Sequence, residues 1–197
     1  MNIGARLFCL EEMSPKWNLS NISWASGCDQ LRFYRYDILT SKYIVLSDDT
    51  SGTPTTSLPQ HLYRNNFDDA DWFLRVGADT FVVVGNLRGL LSKYDSDSPL
   101  LIGQNRTDAL LAETPNEFQP VRGTFLLSRE FLRRLNEDPT AKQICMKNMD
   151  LAKADESKLT ECFVAAGIRT VIPVDEMTRT QIYQMYPRKD SLEGNEI

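Results

Sequence analysis

The apolar residues of this chain arrive in short bursts of strand length, and between them apolar positions recur at helical spacing. Arg6 to Leu10, Leu31 to Tyr36, Trp72 to Val76, Leu100 to Gly103, Thr124 to Leu127 and Ile168 to Val174 read as strands. Tyr43 to Leu46 and Phe81 to Val84 are further apolar runs of the same kind. A helix is expected from Asn86 onward, because Leu87, Leu90, Leu91 and Tyr94 fall on one face before Asp95 to Pro99 stop it. Ser128 is placed as the N-cap of a second helix carrying Phe131, Leu132 and Leu135. A third begins near Asp155, with Leu159, Cys162, Phe163 and Ala166 on one face and Gly167 as its C-terminal cap. Strands alternating with helices predict an α/β domain with a mixed, mostly parallel sheet flanked by helices. Residues 1–197 read as one domain, with loop excursions at 48–60, where Gly, Pro, Ser and Thr accumulate, and at 104–120, which is largely polar and carries Pro115 and Pro120.

Composition removes several classes of function. With 22 Lys+Arg against 27 Asp+Glu and a pI of about 5.0, the chain has no basic stripe for nucleic acid. No apolar run approaches the ~20 residues that span a bilayer. Nor does Leu7-Phe8-Cys9-Leu10 reach the length of a signal-peptide core before Glu11 and Glu12 close it. One His, His61, and no closely spaced Cys pair argue against a Cys/His metal site. Cys9, Cys28, Cys145 and Cys162 allow three connectivities, pairing within each half being the simplest; four buried thiols are the other reading. Sequons at Asn18, Asn21 and Asn105 lean toward a secretory lumen.

In a parallel sheet ligands gather outside the carboxyl ends of the strands, which directs attention to the turn after Trp72 to Val76. There Asp69-Ala70-Asp71-Trp72-Phe73-Leu74-Arg75-Val76-Gly77-Ala78-Asp79-Thr80 runs through the Val82-Val83 segment into Asn86-Leu87-Arg88 and Leu90-Leu91. This stretch resembles the core 1 β1,3-galactosyltransferases, a fringe-like glycosyltransferase family with an Asp-Trp-Phe-Leu-Lys segment, a three-Asp motif followed by Thr, and Asn-Leu-Arg before a Leu-Leu helix. Weaker similarity covers Arg6 to Cys9, Ser23 to Cys28, Thr124 to Glu130, the acidic pair before Cys162, and Tyr186-Pro187, so that it extends over most of the chain with shortened connections.

The resemblance implies a nucleotide-diphospho-sugar transferase-like fold of the glycosyltransferase A type, shorter than the family's catalytic domain and without its membrane anchor. It implies transfer of galactose from UDP-galactose to O-linked N-acetylgalactosamine on Ser or Thr of a glycoprotein, with Mn²⁺, in the lumen of the Golgi or endoplasmic reticulum. A second reading is an inactive relative that binds the active transferase as a chaperone-like partner. The family chemistry needs carboxylates on a divalent ion, which offsets charge growing on the diphosphate leaving group. By resemblance, Asp79 would be the metal ligand, Arg75 and Asp79 the donor-binding pair, and Asp155 with Glu156 the carboxylates serving as base on the acceptor hydroxyl. Cys9, Cys28 and Cys162 coincide with family cysteines and favour lumenal disulfides.

The sequence departs from the family at the metal motif. Gly77 and Ala78 stand where the first two Asp belong, Tyr186 replaces the metal-binding His, and Val121-Arg122-Gly123 replaces a glycine-rich step. Simpler roles are also open to these residues. Asp79 suits a turn cap, Asp155 and Glu156 suit the first turn of a helix, Arg75 suits an ion pair with a local Asp, and His61 suits packing.

Overall fold

Two strands buried on both faces, β1 (Leu7–Glu12) and β5 (Trp72–Val76), lie side by side in the middle of an eight-stranded sheet. This is seen in a computed structural model that describes residues 4–13, 24–37, 39–46, 52–55, 57–77, 80, 82–103, 124–145 and 162–171. Continuous apolar runs suit such central positions, because a strand covered on both sides has no face to leave polar. Around them stand β2 (Gln30–Asp37), β3 (Lys42–Leu46), β4 (Gly52–Thr55), β6 (Leu100–Ile102), β7 (Phe125–Ser128) and β8 (Arg169–Val171), in the order β4-β3-β2-β1-β5-β7-β6-β8.

The sheet is mixed rather than mostly parallel. β1 runs parallel to β2 and β5, and β6 to β8, while β2–β3, β3–β4, β5–β7 and β6–β7 are antiparallel. The departure comes from a hairpin-like extension beyond β2 and from β7, which enters between β5 and β6 in the opposite direction. The expected loop 48–60 is also partly regular. Thr53 and Thr55 give β4 its extended residues, and Pro54, which donates no N–H, is tolerated because β4 is the edge strand. Helix α1 (Leu58–Asn66) follows, with Ser57 capping the Gln60 N–H and Pro59 in its first turn. The excursion 104–120 lies outside the described residues.

Two apolar layers cover the sheet. One face packs Phe8, Leu10, Tyr34, Phe73, Leu101 and Leu127 against α1, α3 (Arg129–Glu137) and α4 (Pro139–Cys145). The other packs Leu7, Cys9, Trp72 and Leu74 against α2 (Val84–Leu91) and a 3-10 turn at Ala25–Gly27. The 3-10 turn can approach α2 closely because Gly27 has no side chain: a Cβ there would lie 2.8 Å from that of Val84. The apolar run before α2 is shorter than the sequence suggests, since Val84 already belongs to the helix. α3 forms as its cap predicts, burying Phe131, Leu132 and Leu135 and pairing Glu130 with Arg133 and Arg134 on its outer side.

The last helical turn, 162–165, ends as its sequence dictates. Gly167 has φ +59°, the Ile168 N–H reaches the Phe163 carbonyl at 2.8 Å, and the Gly167 N–H reaches Val164 at 3.0 Å. This is the glycine-terminated Schellman arrangement. Disulfides join Cys9 to Cys28 and Cys145 to Cys162, the pairing within each half. Among the described residues no helix is long and apolar enough to cross a membrane.

Candidate functional site

The connections out of β1 and β2 pass over opposite faces of the sheet. The path from β1 to β2 includes Trp24 and Ala25, which pack with α2, whereas the path from β2 to β5 includes α1, which packs with α3. The sheet order therefore reverses between β1 and β5. A crevice opens at the carboxyl ends of two parallel neighbours at such a switch point, and there α/β domains take up ligands. β7 runs the other way, so its amino end, Phe125, stands opposite Arg75 at the same edge. A hydroxyl contact of 3.2 Å between Thr80 and Thr124 ties the turn after β5 to the approach to β7.

Alternation along each strand sets which side chains face this end. On the α1/α3 face stand Glu12 of β1, Tyr34 of β2, Arg75 of β5 and Phe125 of β7. The Tyr34 hydroxyl donates to Glu12 Oε2 at 3.3 Å. Arg75 is only 8 % exposed, and its guanidinium carbon lies 5.4 Å from the Tyr34 ring centre and 5.3 Å from that of Phe125. Both distances are those of cation–π contact. The buried Nε of Arg75 makes no hydrogen bond to a described residue. Burial raises the pKa of the Tyr34 phenol well above the usual tyrosine value, the nearby Arg75 charge pulling against it and the Glu12 carboxylate adding to it. Tyr34 is thus a neutral hydrogen-bond donor at every physiological pH.

Glu11 faces the α2 side of the same edge and is 1 % exposed. In the sequence it stands at the polar end of an apolar run. The usable signal was parity, because Leu7, Cys9 and Glu11 share one face of a strand that is apolar on both.

Of the residues singled out in the sequence, Arg75 is brought to the switch point, where aromatic rings flank it. Asp79, Asp155 and Glu156 lie outside the described residues, as do Arg122 and Tyr186. Two residues of the matched segment serve the fold at the opposite end of the strands. Asp71 accepts from the Arg6 N–H at 2.9 Å and pairs with the Arg6 and Arg129 guanidiniums at 3.2 and 3.3 Å. It is a fixed strut that ties the start of β1 to α3. Arg88 donates to the carbonyls of Ala5 and Gly27 and to Asp29, clamping α2 to the start of β1. His61 sits on α1, and burial lowers its pKa, which suits packing rather than acid–base work.

Among the described residues no donor set fits a divalent ion in the manner the resemblance implies. Gly77 and Ala78 offer no side-chain oxygen, and Glu11 and Glu12 point to opposite faces of β1. Among the described residues no group of three or more His, Cys, Asp and Glu could hold a metal. The sequence matches no protein-family model.

Proposed function

We propose that this chain is a relative of the core 1 β1,3-galactosyltransferases that keeps the donor-binding end of the fold and has lost most of the transfer chemistry. The observation that carries this reading is the convergence at the switch point. The segment that resembles the family's acidic motif begins at Gly77, just past the end of β5 beside β1 and two residues after a buried arginine, and is followed by a threonine in contact with Thr124 ahead of β7. A mixed α/β sheet with one reversed strand between two of parallel direction accords with a glycosyltransferase A type fold. The ligand is a UDP-sugar, UDP-galactose by kinship. The reaction of the kin is transfer of galactose to the 3-hydroxyl of N-acetylgalactosamine on Ser or Thr.

Loss of chemistry follows from the residues themselves. One carboxylate, Asp79, stands where the family has three, and a single monodentate ligand is a weak hold on Mn²⁺ or Mg²⁺. Binding of a partner, such as an active transferase of the family, is the function left to a chain of this design. The two disulfides accord with work in the lumen of the Golgi or endoplasmic reticulum, where such bonds persist. The test is transfer of radiolabelled galactose to a GalNAc-Ser/Thr peptide with Mn²⁺ and with EDTA. Little or no transfer is expected in either, and clear Mn²⁺-dependent turnover would overturn the loss of chemistry.

A further inference from the structure

We propose that Arg75, rather than a divalent ion, supplies the positive charge that meets the diphosphate of a nucleotide at the carboxyl ends of β1 and β5, so that binding needs no metal. The inference rests on the donor-site reading above and goes beyond it by assigning the charge.

The argument begins with the arginine. A guanidinium taken out of water loses hydration that its surroundings must replace, and a nitrogen left without an acceptor has not been compensated. Arg75 is more than nine-tenths buried, and its Nε makes no hydrogen bond to a described residue. The rings of Tyr34 and Phe125 hold the cation on two sides, and the only oxygen between them is the Tyr34 hydroxyl, which the guanidinium shares with Glu12. The nearby Glu12 carboxylate already accepts from the Tyr34 hydroxyl. An anion with several oxygens fits what remains. The guanidinium is a rigid planar fork whose donors match phosphate oxygens in pairs, and aromatic walls fix the plane in which that fork lies.

The second line comes from the loop that follows. Arg75 is the penultimate residue of β5, and the positions just past the strand, Gly77 and Ala78, carry no ligating side chain. The charge that a metal brings in the family is then built into the strand itself.

Calorimetric titration of the oxidised full chain with UDP, in EDTA and in Mn²⁺, reads the proposal directly, with uridine and inorganic diphosphate as partial probes. Expected is UDP affinity in EDTA within about twofold of that in Mn²⁺, and uridine affinity lower by about tenfold or more. Arg75→Met should weaken UDP binding by about tenfold or more, while its melting temperature stays level or rises, since an unsatisfied charge has been removed. Arg75→Lys keeps the charge and loses the fork, and severalfold weaker binding is expected from it even if the methionine variant does not fold.

UDP binding seen only with Mn²⁺ overturns this proposal and leaves the donor site standing. Wild-type UDP affinity in Arg75→Met, or in Arg75→Lys where the methionine chain does not fold, also overturns it, as does a methionine variant that melts lower yet binds UDP unchanged. No UDP binding in either buffer, by a chain that melts cooperatively, overturns the donor-site reading itself.

Discussion

Replacing Ser128 with alanine removes one hydroxyl and leaves three backbone groups without their partner. Ser128 Oγ accepts from the N–H of Phe131 at 3.0 Å and from that of Leu100 at 2.9 Å, and it donates to the Ser98 carbonyl at 2.7 Å. It thus caps α3, holds the start of β6 and fixes the turn before it, from a residue that is 0 % exposed. Loss of an N-cap costs about 1 kcal/mol. Each further buried group left unsatisfied costs about 1–3 kcal/mol. Partial relaxation of Ser98 toward solvent brings the expected sum to about 3 kcal/mol, or a fall in Tm of about 6–12 °C for a chain of this size. Ser57 is the internal control. It occupies the same cap position on α1, and its Oγ accepts from Gln60 at the longer distance of 3.4 Å. Ser57→Ala should therefore cost about 1 kcal/mol or less. Urea unfolding of both variants, disulfides intact, followed by far-UV circular dichroism, measures the difference. If the two lie within about 0.5 kcal/mol, well inside the spread of cap energies, the three-bond account of Ser128 is refuted.

Two further outcomes follow from covalent and charged contacts. The double variant Cys145→Ala, Cys162→Ala opens a ring with a sequence separation of 17 and should lose about 3 kcal/mol in urea under oxidising conditions; an unchanged midpoint would contradict it. For Asp71, burial opposes ionisation, but the Arg6 N–H and guanidinium, with Arg129, outweigh it and bring the pKa below 3.8. A depressed carboxylate stabilises the fold above its unfolded value and loses that contribution as pH falls through its folded value. Asp71→Asn should accordingly flatten the fall in stability below about pH 4, and parallel acid limbs in wild type and variant would count against the strut.

The sequence carried the centre of this fold better than its margins. β1, β5 and β7 are legible because apolar side chains fill nearly every position, and α3 because a capping serine precedes a spaced apolar triad. β4 is hidden, since Gly52, Thr53, Pro54 and Thr55 read as a turn until β3 is there to pair with them. α1 is hidden because Pro59 and His61 dilute its apolar face. Strand direction escapes too: the reversal of β7 depends on its pairing with β5 and β6, which local propensity does not encode. At the site, the position of Arg75 at a strand end was readable, but its seat between Tyr34 and Phe125 joins residues far apart in the chain. Asp71 and Arg88 show the converse. Both belong to the matched segment, and both prove to be braces at the amino ends of the strands.

The two disulfides differ in what they enclose. Cys9 sits within the central strand, and Cys28 sits just before its parallel neighbour, so every peptide bond between them belongs to a closed covalent ring. A protease that cuts once inside that ring produces no separable fragment. The chain would run as a single species on a non-reducing gel and fall into two pieces only after reduction. The same holds for a cut between Cys145 and Cys162. Damage to either connection is thus masked for as long as the surroundings remain oxidising, and the central strands keep their covalent link to the rest of the molecule through it.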